Sequence, residues 1–189
     1  MTGPFNQFYA LDGPALIFLG IVMAAASYTD VTRQKIPNKL TFPAMAVGIV
    51  YHVLVHGYQG LIFSLTGLAA GFALLILFYV LGGMGAGDVK LMAAAGAVLG
   101  AKGVFVAFLF TALYGGIYSL GVILTNRRIF KGFFKNISNS LLTFVLIRRY
   151  DPIDVSKDKD KPRLCYGIAI ALGTFTYMVF FCLELDFLS

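Results

Sequence analysis

Two aspartates could do chemistry in this chain, Asp30 and Asp88, and both stand at the end of an apolar run. Asp88 closes the glycine cluster GGMGAGDVKLM at 82–92, with Lys90 two residues on. An ionisable group at the edge of a membrane span is expensive if unpaired, and is therefore a functional-site candidate. Two close carboxylates share one proton, because both ionise together only at high cost. Such a pair can hydrolyse a peptide: the ionised carboxylate takes a proton from water, and the protonated one donates to the scissile carbonyl. This chemistry needs no metal and no cofactor. Glycine beside the acids suits it, because an extended substrate can then lie against the backbone.

Each residue also has a plainer reading. Asp88 can N-cap a helix that starts at 89. Asp30 can pair with Arg33 in a loop, and the glycines can be helix-packing residues. Gly82 and Gly83 read as the end of the third apolar span. The pair of acids, brought to one face, is what favours catalysis.

The elements that position the acids follow from composition. The 189 residues are 59% hydrophobic and 13% charged, with mean hydropathy +0.83. Soluble domains run nearer 45–50% apolar and about 25% charged. The fold class is therefore all-α, a polytopic membrane protein of about six transmembrane helices in a single domain. The spans fall near 14–29, 40–57, 61–82, 89–100, 103–125 and 164–183, judged against the ~20 apolar residues a crossing needs. Segment 89–100 is short and starts deep. The first residues lack a basic stretch, so the first run reads as a retained span and not as a signal peptide.

Orientation follows the lysines and arginines. Loop 30–39 holds Arg33, Lys35 and Lys39, Lys90 follows span 3, and segment 126–163 holds ten more basic residues. Six alternating crossings put all of these on one side, with Lys102 opposite. The basic side is cytoplasmic, and both termini lie outside. Asp30 and Asp88 then share the cytoplasmic face, although 58 residues separate them. Within the cytoplasmic loop 126–163, stretch 133–147 suits an amphipathic surface helix.

Other classes are excluded or weak. The basic residues flank apolar spans, with no basic soluble domain for nucleic acid. Cys165 and Cys182 are about 25 Å apart along a helix, too far to pair. GGMGAGD is no dinucleotide fingerprint, because Asp88 takes the last glycine position and no βαβ unit surrounds it. His52 and His56 make a poor two-ligand metal site on the side away from the acids. Tyr28 reads as an interface anchor.

The stretches SYTDVTRQKIPNKLTFP (27–43) and GGMGAGDVKLMAAAGAVLG (82–100) resemble the type IV prepilin peptidases, membrane aspartic proteases of the GxGD class. PRLCYGIAIALG (162–173) is similar to the element that opens the family's last span, without its inner proline. The resemblance implies that Asp30 and Asp88 are catalytic. The substrates it implies are pilin, pseudopilin or archaellin precursors, each with a basic leader and a hydrophobic helix, cut at the cytoplasmic face of the plasma membrane. It also implies possible pilus or secretion machinery as a partner, beside membrane lipids. The family's large cytoplasmic domain with four cysteines is missing, so neither methyl transfer nor S-adenosylmethionine is expected. Gly85 and Gly87 are expected to keep side chains out of the substrate's path. Pro37 is expected to fix the entry of span 2 and Asn38 to cap it. Lys90 is expected to meet an acidic residue of the substrate. The competing readings are a presenilin-like intramembrane protease, whose P-A-L element is absent, and a proton- or ion-coupled transporter that uses the two aspartates as a relay.

Overall fold

The structure, a computed structural model, describes residues 12–80, 83–125 and 166–188. Segment 126–163, with the surface helix expected at 133–147, lies outside the described residues, as do Gly82 and Cys165. Among the described residues the secondary structure is α-helical: α1 (Gly13–Arg33), α2 (Asn38–Val80), α3 (Ala86–Thr125) and α4 (Tyr166–Leu188). All four are long and apolar enough to cross a membrane.

Two of the helices are interrupted by a glycine. Gly57 (φ 60°, ψ −138°) divides α2, and Gly100 (φ 72°, ψ 176°) divides α3. Both sit at positive φ, where a side chain would be strained. The chain reverses at each of them. Beyond Gly57, the hydroxyl of Ser64 comes back to the Gly48 carbonyl at 3.3 Å. Beyond Gly100, α3 runs antiparallel to α4: Gly103 faces Tyr177, Gly173 faces Thr111 and Gly115 faces Ala169. Among the described residues, the four helices, two of them folded once, thus give six straight segments.

The central segment is 86–99. Every residue from 91 to 100 is buried. Its small residues let neighbouring backbones come close, which matters where lipid supplies no hydrophobic drive between helices. Gly67 lies against Gly96 and Gly100, and Gly71 against Met92 and Ala93. A methyl group on Gly67 would overlap the Gly96 carbonyl. The outward faces are apolar instead: Ile17, Leu54, Leu77, Ile117 and Leu183 are all exposed. That pattern suits a hydrocarbon surround.

The break at Gly100 leaves the last carbonyls of segment 86–99 without intrahelical donors. Side chains from both arms of α2 supply them. His52 Nε2 donates to the Val98 carbonyl at 2.9 Å, and the Ser64 hydroxyl donates to Ala97. His52 is thus a helix cap, and it is buried. His56 stacks on it with ring centroids 6.0 Å apart.

Candidate active site

Asp30 lies in the last turn of α1 and Asp88 in the first turn of α3. Segment 13–33 runs antiparallel to α4: Gly20 faces Phe175 and Met178, and Asp30 faces Gly167. Segment 86–99 begins beside the start of α2, because Lys90 meets Asn38 and Gly87 meets Ile36. The two aspartates therefore come to one end of the bundle. Each is 7% exposed.

Each carboxylate is held by a glycine amide. Gly85 N–H donates to Asp88 Oδ2 at 3.0 Å. Asp88 is the third residue of α3, so its carboxylate reaches back to the residue before the helix, as the acid of a capping box does. The helix starts at Ala86, three residues earlier than the sequence suggests, and Asp88 is not its N-cap. Gly167 N–H donates to Asp30 Oδ2 at 2.9 Å. Gly167 is the second residue of α4, and the amides of a helix's first turn have no intrahelical partner. The positive ends of two helices thus meet two carboxylates. A helix N-terminus favours negative charge, so this placement offsets part of the burial cost.

The neighbouring residues have partners of their own. Lys90 Nζ donates to Asn38 Oδ1 at 2.8 Å and sits 5.0 Å from the centroid of the Phe42 ring. Asn38 is the first residue of α2, and its side-chain oxygen faces Lys90. The capping carbonyl is that of Pro37, which accepts from Leu40 N at 2.9 Å and Thr41 N at 3.4 Å. Gly87 is the seat of Ile36: a methyl group there would lie 3.0 Å from Ile36 Cβ. Gly85 is exposed. Gly83 N–H returns to the Phe78 carbonyl at 2.9 Å, the six-residue closure that ends many helices; here it ends α2. Tyr28 is exposed.

Gly167 is the residue the sequence reading missed. Its only signal was the late element that contains YGIAIALG. Among the described residues, no group of three or more His, Cys, Asp or Glu is placed to hold a metal ion. Two cavities, of about 140 and 190 Å³, lie toward the far end of the bundle. One is bordered by Pro14, Phe18 and Tyr51, the other by Phe63, Lys102 and Tyr177, and no aspartate lines either.

Residues 17–120 match the family model described as type IV leader peptidase family. That stretch holds both aspartates. Among curated proteins, the chain is 36% identical over 119 residues to the prepilin leader peptidase/N-methyltransferase of Bacillus subtilis (strain 168), covering 60% of this chain and 46% of that protein. It is 34% identical over 117 residues to the protein of the same name from Aeromonas salmonicida (strain A449), covering 58% and 40%. A third relative of that name, from Xanthomonas campestris pv. campestris, is 32% identical over 116 residues, covering 58% and 40%. The chain thus matches less than half the length of these relatives. No solved structure matches it.

Proposed function

Because the chain belongs to the type IV leader peptidase family, we propose that it is a membrane aspartic endopeptidase acting on prepilin-like precursors. The observation that carries this reading is the pair of buried carboxylates, Asp30 and Asp88, at one end of the bundle, each held by a glycine amide.

The reaction follows from the pair. One carboxylate is ionised and the other protonated, since burial beside a like charge disfavours double ionisation. The ionised group takes a proton from a water molecule. The water oxygen attacks the scissile carbonyl carbon, and the protonated carboxyl donates to the carbonyl oxygen. Collapse of the tetrahedral intermediate breaks the C–N bond, and a proton goes to the leaving amine. The glycine amides fix the carboxylate positions before substrate arrives.

The substrate class is a precursor with a short basic leader ahead of a hydrophobic helix, cut at the cytoplasmic face of the plasma membrane. Six crossings with both termini outside agree with the basic loops and the six straight segments. Exposed Gly85 borders the path of the peptide. Gly87, Pro37, Asn38 and Lys90 shape that path by joining the starts of α2 and α3. Methyl transfer is not part of the proposal.

Co-expression with a prepilin precursor tests it, with processing read on a gel. Wild type should cut. Asp30→Asn and Asp88→Asn should each abolish cleavage while the protein still inserts. Normal processing by either variant removes the dyad. Ion flux in liposomes without any cleavage favours the transporter reading.

A further inference from the structure

The Asp30 carboxylate is fixed from the far end of the chain, across 137 residues of sequence. We propose that Gly167 is a positioning residue for Asp30, an inference that rests on the peptidase reading above. Two properties of Gly167 serve this role. Its N–H donates to Oδ2 at 2.9 Å. Its missing side chain lets α4 come that close, because a Cβ at 167 would stand 2.8 Å from Asp30 Oδ2 and 3.0 Å from Asp30 Cβ. Both are below ordinary van der Waals contact, and the atoms that must yield belong to the reacting group itself. The Ser27 hydroxyl reaches the Gly167 carbonyl at 3.5 Å, one turn before Asp30. Asp30 and Ser27 together dock the first turn of α4 onto the end of α1.

The arrangement has a counterpart at Asp88. There Gly85 N–H holds Oδ2 from within the same turn. Asp88 carries its support in its own segment, whereas Asp30 depends on a distant helix. The geometry of the pair therefore depends on the docking of α4. Adding a methyl group at 167 pushes Asp30 away or α4 outward, and either shift misplaces one carboxylate relative to the other. A misplacement of about 1 Å costs roughly 100-fold in rate.

The test uses the full chain in membranes with a prepilin substrate. Gly167→Ala should lower kcat by about 100-fold and leave KM within twofold, because substrate capture does not depend on Asp30. Gly116→Ala, at a helical glycine with no atom within 4 Å of a built Cβ, is the control and should leave kcat unchanged. Amide hydrogen exchange gives a second readout that does not require Gly167→Ala to fold. The Gly167 amide is an orphan of the first helical turn, so its protection comes from Asp30. Its exchange should rise at least about tenfold in Asp30→Ala, the loss of roughly one hydrogen bond. The proposal is overturned if Gly167→Ala keeps kcat within twofold while Asp30→Asn is inactive. It is equally overturned if Asp30→Ala leaves Gly167 exchange unchanged. If Asp30→Asn cuts normally, the peptidase dyad itself is wrong, and the exchange result still reports whether the contact exists.

Discussion

Replacing Lys90 with methionine keeps the apolar stem and removes the ammonium. Two contacts go with it: the 2.8 Å hydrogen bond to Asn38 Oδ1 and the approach to the Phe42 ring at 5.0 Å. A hydrogen bond from a charged donor contributes about 1.5 kcal/mol at the low end of its range, and less where water competes. A cation–π contact at an exposed site adds about 0.5–1 kcal/mol. The expected loss is therefore about 1–2 kcal/mol, measurable by unfolding in mixed micelles. A double-mutant cycle with Asn38→Ala should show a coupling of about 0.5–1 kcal/mol, since the two side chains touch. Lys90→Arg should recover part of the loss. Processing kinetics separate this role from substrate capture. The contact joins the starts of α2 and α3 two residues from Asp88, so kcat should fall a few-fold and KM should stay within about threefold. A tenfold rise in KM with unchanged stability and no coupling to Asn38 would refute the reasoning. Lys90 would then act on the substrate.

Three further outcomes follow from the packing. Gly67→Ala should destabilise by about 3 kcal/mol or more, because its Cβ meets backbone of Gly96 and lies 2.7 Å from Gly100 Cα; equal stability in micelles would contradict the close approach. His52→Ala should cost about 1–3 kcal/mol by leaving the Val98 carbonyl without its donor, and His52→Gln should recover part of that in the same assay. Asp88→Asn should keep the helix start, because an amide oxygen still accepts from Gly85 N–H. Its unfolding free energy should therefore stay within about 1 kcal/mol of wild type, even as cleavage is lost.

The aspartates were legible in the sequence for a physical reason. Acids are rare in apolar chains, and counting crossings brings Asp30 and Asp88 to one end. The reversals were legible too: Gly57 and Gly100 fall where the apolar runs break, and positive φ explains why glycine stands at both. The contacts that fix the site were not legible. Gly167 acts through its backbone N–H, and a backbone donor leaves no side-chain signature. Lys90 and Asn38 lie 52 residues apart, and each has an adequate reading alone, as a contact to an acidic substrate residue and as a cap. Their pairing appears only when the start of α3 is set beside the start of α2. Likewise, the two histidines resemble a weak metal pair until the break at Gly100 exposes the carbonyl that His52 satisfies.

The length of the central segment ties these features together. Residues 86–99 rise about 21 Å at ~1.5 Å per residue, well short of the ~30 Å hydrocarbon core. A buried segment that short ends in orphan groups at both ends, and lipid satisfies neither. At one end His52 and Ser64 supply donors to its carbonyls. At the other, the Asp88 carboxylate accepts from Gly85 N–H just before the first helical residue. The acid proposed to act beside Asp30 thus also holds the start of this helix. Lengthening this segment by one turn, with alanines inserted after Met92, would move Asp88 by about 5.4 Å relative to its partner. Cleavage should then be lost, even in protein that still inserts. Retained cleavage would mean that the short central helix does not set the spacing of the pair.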